Sequence, residues 1–318
     1  MITRVSTSSM QSNLVAQIAN NQNKLYELQM QAMTGNKVNS ILDNPVDASK
    51  ILVLNEELSK LESYKKNINA AQGEYDAMDN ALNIVVEKLQ RINELANSAA
   101  NEYNTPENLQ AIKTEVTTIK QTIMDMANTQ YNDKFIFSGT NTGTPAYKMA
   151  ADGTLTYQGT PSTGDYKRQL EVAEGTYLTL NAAGDNVFGT YNAANGTGSG
   201  VFKTISDLEA AIDAASSTDA TISADGFSKI RSSITATHED IETVTGVRSR
   251  YGTYAQKADL SENSLEENSI LLQSDRSDLQ NVDLFEIYSN LTYQQYALQA
   301  SMQVGAMTLQ QSSLLNYI

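Results

Sequence analysis

From Leu14 the apolar positions run Leu14, Ile18, Leu25, Leu28 and Ala32, with Asn21 at the remaining place, so steps of four and three residues alternate. This spacing predicts a helix whose apolar stripe is no wider than a coiled-coil seam and needs a second helix to cover it. Gly35 supplies a stop and Asp43-Asn44-Pro45 a new start. The residue before a proline is held extended, Pro45 suits a first helical turn, and Asn44 is placed to cap it. Beyond the cap, Ile51, Leu54, Leu58, Leu61, Ile68 and Tyr75 keep the same steps, and Met78, Leu82, Val85, Leu89, Ile92 and Ala96 continue them in a shifted register. Only Gly73 interrupts, which predicts one helix of about 50 residues, about 75 Å long at 1.5 Å per residue. Thr105-Pro106-Glu107 opens a further helix carrying Leu109, Ile112, Val116, Ile119, Ile123 and Met126, so the chain is expected to turn back as a helical hairpin.

The helical period gives way at Lys134-Phe135-Ile136-Phe137-Ser138-Gly139, an aromatic and β-branched run. Tyr147-Lys148-Met149 faces Leu155-Thr156-Tyr157 across Asp152-Gly153, and Arg168 to Val172 faces Thr176 to Leu180 across Glu174-Gly175, both hairpin signals. Residues 140–200 are therefore predicted to be a small inserted β domain, closed by a Gly-rich loop from Asn195 to Gly200 and tolerant of shortening. Helical spacing resumes with Val201, Ile205, Leu208 and Ile212, then with Phe227, Ile230, Ile234, Ile241, Val244, Tyr251 and Ala255. Finally Leu284, Tyr288, Leu291, Leu298, Met302 and Leu309 repeat the four-three steps, with Gln295 and Gly305 at the other positions. The predicted fold is mainly α with an inserted small β domain, a long coiled-coil-like rod built from both termini. Residues 1–42 and 280–318 form its terminal coiled-coil region, 43–139 and 201–279 the helical rod, and 140–200 the insert.

Composition sharpens this picture by exclusion. The 318 residues suffice for two or three packed units. Lys and Arg number 22 against 37 Asp and Glu, a formal net charge of -15, which repels phosphate backbones and anionic membrane surfaces, so no nucleic acid and no membrane is expected as a partner. No apolar run reaches the ~18 residues of a membrane span, and Met1-Ile2-Thr3-Arg4 leads into polar residues rather than a signal-peptide core. There is no cysteine, and His238 is the single histidine, which removes thiolate chemistry and multi-histidine metal sites. Gly196-Thr197-Gly198-Ser199-Gly200 lacks the Lys-Ser or Lys-Thr of a phosphate-binding loop. His238 beside Glu239 and Asp240, and the pairs Glu56-Glu57 and Glu266-Glu267, are sequence neighbours on helices that point apart, so a solvated helix face is the reading taken for each. No catalytic, cofactor-binding or metal-binding residue is assigned. The candidate functional residues are those of the seams.

The same segments carry a family resemblance. Thr34-Gly35-Asn36-Lys37-Val38-Asn39-Ser40-Ile41-Leu42-Asp43-Asn44-Pro45-Val46-Asp47-Ala48 resembles the signature of the hook-associated protein 3 family of the flagellin superfamily, and Arg4-Val5-Ser6-Thr7 resembles its start. Phe135-Ile136-Phe137-Ser138-Gly139 looks like that family's middle element. Ser277 to Asp283, Ala297 to Ser301 and Ser313 to Ile318 are similar to its closing segments. The departures are Ile41-Leu42 where Pro-Ser is common, Asn44 for a second Asp, and Asn36-Lys37 for Lys-Arg. Filament flagellin is the alternative within the class, although it typically has D-D-A-A-G where this chain has Asp43-Asn44-Pro45-Val46-Asp47.

What the resemblance implies is a structural subunit of the bacterial flagellum, exported through the flagellar type III channel to the extracellular hook-filament junction. Its implied partners are copies of itself in a ring, hook-associated protein 1, flagellin, and an export chaperone on the C-terminal helix. The expected assembly interface is Leu14, Ile18, Asn21, Leu25 and Leu28 with Leu284, Tyr288, Leu291, Gln295, Leu298, Met302 and Leu309. Asn21 and Gln295 are expected to fix register as polar seam residues. Seams this narrow predict that both ends stay unordered in a dilute monomer. A secreted coiled-coil effector or adhesin, which would have ordered ends on its own, is the reading from a different class. An enzyme hidden in the insert would need a deep polar pocket there.

Overall fold

The computed structural model describes residues 7–150, 154–161, 168–180, 182–192 and 196–314. Arg4 to Ser6, Asp152-Gly153, Asn195 and Leu315 to Ile318, which the sequence reading uses, lie outside them, as does the side chain of Leu309. The elements in order are α1 (Thr7–Thr34), α2 (Pro45–Ala99), α3 (Pro106–Ala127), β1 (Gln130–Tyr131), β2 (Lys134–Phe135), β3 (Tyr147–Met149), β4 (Leu155–Tyr157), β5 (Gln169–Ala173), β6 (Thr176–Thr179), α4 (Gly184–Val187), β7 (Thr190–Asn192), β8 (Thr197–Ser199), α5 (Gly200–Ala215), α6 (Ala220–Gln280) and α7 (Leu284–Leu314). The chain forms two compact units, a terminal one (Met1–Lys60 with Glu267–Ile318) and a central one (Leu61–Glu266), and α2 and α6 supply residues to both.

Helix boundaries follow local chemistry. Asn44 Oδ1 accepts hydrogen bonds from the N–H groups of Val46 and Asp47, both at 3.2 Å, while Asn44 Nδ2 donates to Asp47 Oδ2 at 2.6 Å. These bonds satisfy first-turn donors that a helix cannot pair internally, and Asp47 adds a negative charge at the positive end of the helix. Thr105 caps α3 by accepting from the Asn108 N–H at 3.3 Å. Asn44→Ala is expected to lower stability by about 1 kcal/mol, and hydrogen exchange of the first turn of α2 reads the effect. Unchanged exchange there would show that the cap contributes nothing.

In the central unit α2 runs unbroken through Gly73 and buries Tyr75, Met78, Leu82, Val85, Leu89, Ile92 and Ala96, all at steps of three and four. Leu109, Val116 and Ile123 of α3, Phe202, Ile205 and Leu208 of α5, and Ile230 and Val244 of α6 complete the same core. Lys120 ties α3 to α5, its Nζ donating to Ser206 Oγ and Glu209 Oε2, both at 2.8 Å.

The β region does not pack by itself. β3 pairs antiparallel with β4, β4 with β7, and β7 with β8, while β5–β6 forms a separate hairpin. Tyr147, Leu155, Val172, Leu178 and Phe188 belong to the core that α2, α3, α5 and α6 share, and the Tyr147 and Phe202 rings lie 4.9 Å apart. Residues 140–200 are thus a face of the helical core, so shortening them removes core residues rather than surface bulk. The expected Gly-rich loop is replaced by a strand, since Thr197–Ser199 pairs with Thr190–Asn192.

Two carboxylates are buried among the described residues. Glu74 pairs with Arg168; burial pushes its carboxyl up and the guanidinium pulls it part of the way back. Asp240, on α6, has an Oδ2 without a hydrogen-bond partner. Burial pushes its pKa up to about 6, against a hydrogen bond from Thr204 and with help from the Glu239 charge. The folded chain therefore holds this proton more tightly than the unfolded chain, so the stabilisation is present at low pH and is lost as pH rises through about 6. Asp240→Asn is expected to raise stability by about 2 to 3 kcal/mol near pH 7.5, by about half as much near pH 5, and to leave it nearly unchanged near pH 3, checked by thermal unfolding at the three values. A destabilised variant near pH 7.5 would overturn this.

Candidate assembly surface

The terminal unit is built on α1 and α7. Leu14, Ile18, Asn21, Leu25 and Leu28 form the covered side of α1, and Leu28 is buried. The covered side of α7 is Ile287, Leu291, Gln294, Leu298, Ser301 and Gly305, again in alternating steps of four and three. The helices run antiparallel. Leu14 lies against Gly305, where a Cβ would stand 2.8 Å from its Cδ2. Asn21 Nδ2 donates to Ser301 Oγ at 3.0 Å, and Gln294 Nε2 donates to Asn21 Oδ1 and to the Asn21 carbonyl, both at 3.2 Å.

Two corrections follow. The described parts of both ends are helical and cover each other within one chain, in place of the unordered ends expected of a lone subunit. On α7, the expected residues Leu284, Tyr288, Gln295 and Met302 stand on its exposed side, whereas Leu291 and Leu298 do face α1. Both registers contain Leu291, Leu298 and Gly305, so apolar spacing alone does not separate them. Asn21 does: a polar residue at a seam position needs polar partners, and Gln294 and Ser301 supply them where Gln295 cannot. Asn21 was the signal by which Gln294 and Ser301 could have been found.

Outside the seam the pair is almost uncharged, mostly polar on α1 and rich in exposed large apolar side chains on α7. Phe285 is 88% exposed, Tyr293 74%, Tyr296 68% and Met307 67%, and on α1 Tyr26 is 66% exposed. The only charged residues of α1 are Lys24 and Glu27, an ion pair at 2.9 Å, and α7 carries only Glu286. Residues 7–23 and 287–314 therefore offer no charge at all, in a chain of net charge -15. Farther along the same unit, a groove of about 560 Å³ between the start of α2 and the end of α6 is floored by Val53, Leu54 and Leu279. Of the large hydrophobic side chains exposed among the described residues, only Tyr103, Met149, Tyr177, Ile222 and Leu260 belong to the central unit. Exposed apolar surface this concentrated marks a contact region. No helix among the described residues is long and apolar enough to cross a membrane.

The crossover from α1 to α2 is held by Asp43, whose Oδ2 accepts from the N–H groups of Asn39 at 3.0 Å and Ser40 at 2.8 Å, next to the Asn44 cap and Pro45. The residues weighed for chemistry are placed apart from one another. His238 is 70% exposed, with Glu242 at 3.5 Å; Glu56 faces Lys60 at 3.2 Å; Glu266 and Glu267 are exposed.

Among solved structures, a protein from Vibrio parahaemolyticus assigned to the flagellar hook-associated proteins is similar at TM-score 0.64 and 22% identity, covering 75% of this chain and 100% of its own. Hook-associated protein-3 from Legionella pneumophila is similar at TM-score 0.63 and 13% identity, covering 72% and 98%. FlgL from Xanthomonas campestris is similar at 0.61 and 18%, covering 70% and 99%. At these identities the likeness establishes the fold. No curated protein sequence matches the chain. The bacterial flagellin N-terminal helical region matches residues 5–142 and the bacterial flagellin C-terminal helical region matches residues 234–318. With both family regions matched in order over most of its length, the chain belongs to the flagellin superfamily.

Proposed function

We propose that this chain is a structural subunit of the bacterial flagellum that joins the hook-associated protein 1 zone to the flagellin filament. The observation that carries the reading is the outer face of α7, where Tyr288, Tyr293, Tyr296, Met302 and Met307 stand exposed, on a helix pair that carries no charge over residues 7–23 and 287–314. A helix apolar on more than one side belongs in the interior of a larger assembly, and copies that repel through their net charge can meet where they carry none. The fold shared with hook-associated structures and the resemblance at Thr34 to Ala48 select the junction over the filament. Its partners are then copies of itself, hook-associated protein 1 and flagellin. An export chaperone covers the C-terminal helix before assembly, and the flagellar type III system delivers the chain to the cell exterior.

The seam residues Leu14, Ile18, Asn21, Leu25, Leu28, Leu291 and Leu298 act in this reading by holding α1 on α7, and Leu284, Tyr288, Gln295 and Met302 join the outward side that meets neighbours. Electron microscopy of flagella labelled with an antibody to this chain tests the reading. Label confined to the hook-filament joint is expected. Label along the whole filament would make the chain a filament flagellin, and absence of label from flagella would overturn the proposal.

A further inference from the structure

The two chain crossovers of the terminal unit meet each other. α1 gives way to α2 through residues 35–44, and α6 gives way to α7 through residues 281–283. The Lys37 N–H donates to the Gln280 carbonyl at 2.6 Å, and the Val282 N–H donates to the Gly35 carbonyl at 3.1 Å. Asn36 and Asn281 thereby form an isolated antiparallel bridge. We propose that this bridge is a paired hinge that makes α1 and α7 order and move as one body.

One side of the bridge is fastened by buried packing and the other is held by exposed hydrogen bonds alone, so bending falls on the second. Val38 is buried with Ala48 and Ile51 of α2, and Leu279 of α6 packs on them. Asp43 braces the same crossover through Asn39 and Ser40, and Asn39 Nδ2 donates to the Asn36 carbonyl at 3.0 Å. The bridge thus stands on the ends of α2 and α6. Toward α1 and α7 the ties are exposed ones: Gly35, at φ +71°, Gln31 Nε2 donating to the Lys37 carbonyl and the Asn36 N–H donating to Thr34 Oγ1, both at 3.2 Å, and Asp283, whose Oδ1 accepts from the Phe285 N–H at 2.8 Å. A backbone angle of that sign suits glycine because it has no Cβ to clash. A bridge two hydrogen bonds wide resists separation of its strands far more than rotation about them.

Chain length couples the two helices. Three residues span at most about 10 Å, so the crossover from α6 to α7 has little slack. A displacement of α7 acts on Asn281, and through the bridge on Asn36, Gly35 and the end of α1. The seam alone couples the helices wherever they touch; the bridge adds a common root, so that they leave and return to order together. This inference does not depend on where in a flagellum the chain sits.

The test is hydrogen exchange of the full chain. Val282→Pro removes one bridge donor on the α7 side, and Lys37→Pro removes the other donor on the α1 side. Each is expected to speed exchange of α1 and α7 amides alike, by about fivefold, the equilibrium effect of one backbone hydrogen bond of ordinary net strength. Amides of the central unit should not respond. Residues flanked in this way form a non-hydrogen-bonded pair with Cα atoms about 4.5 Å apart, within disulfide reach. The chain has no other cysteine, so Asn36→Cys with Asn281→Cys can be oxidised without competing pairs. In the Val282→Pro background the oxidised pair is expected to return both helices to wild-type exchange. If either proline variant affects only its own helix, if neither affects exchange, or if the crosslink restores one helix and not the other, the inference is overturned.

Discussion

Replacing Tyr296 by aspartate is expected to abolish the joining of copies while the isolated chain unfolds at the wild-type temperature. Tyr296 is 68% exposed on the side of α7 away from α1, so an aspartate there meets water in a lone chain and removes little packing. In an assembly that covers this face, the same carboxylate is buried without a partner, which costs several kcal/mol and recurs at every copy. Leu298→Asp is the contrasting variant. Leu298 is half-buried against α1, so its aspartate should strip hydrogen-exchange protection from α1 and α7 in the isolated chain as well as block assembly. Leu82→Ala, fully buried in the central unit, calibrates the unfolding measurement and should cost about 2 to 5 kcal/mol. Filament counts by electron microscopy and thermal unfolding of the purified chain give the two readouts. Cells carrying Tyr296→Asp that keep a normal number of filaments would show that this face meets no neighbour. Wild-type exchange in Leu298→Asp would remove the seam as the contact that orders the ends.

The parts legible in the sequence are those where one local rule decides. Asn44-Pro45 satisfies cap and first turn at once, and α2 begins at Pro45. The four-three steps of α1 match its covered side position for position, because alternatives to Leu14, Ile18, Leu25 and Leu28 are polar. α7 is apolar on several sides, so hydrophobic spacing fitted two registers and the one with more large apolar residues was the wrong one. What settles the register is a long-range hydrogen bond from Gln294 to Asn21, and no local pattern contains it. The β region lies where it was expected, but its packing on the helices was hidden for a related reason. Its hairpins are encoded locally, by Glu174-Gly175 between β5 and β6 for example, but whether they close on themselves or on a helix is decided by distant partners. Tyr75 shows this, since its hydroxyl on α2 donates to the Thr179 carbonyl on β6 at 2.8 Å. The paired crossover was invisible for the same cause: Asn36 and Asn281 are ordinary turn residues until the fold brings them together.

Within α6, Gly226→Ala and Gly246→Ala are expected to change stability in opposite directions. Both glycines lie in one helix of 61 residues, where alanine is favoured over glycine by about 1 kcal/mol through backbone entropy alone. Nothing stands within 4 Å of a Cβ built on Gly246, so that gain should appear in full. At Gly226 a Cβ would lie 2.2 Å from the Ala215 nitrogen and 2.8 Å from the Ala211 carbonyl oxygen. These are backbone atoms of α5 and cannot swing aside as a side chain could. The two helices would have to part, opening gaps around Phe227 and Ile212, which pack beside the contact. Overpacking of this kind costs about 1 to 3 kcal/mol or more, which exceeds the propensity gain, so Gly226→Ala should melt below wild type. Gly226→Val adds two methyl groups and a poorer helix former, and should lower the melting temperature further. If Gly226→Ala instead melts above wild type, as Gly246→Ala should, α5 does not approach α6 through its backbone and the close packing of the central unit is wrong at that point.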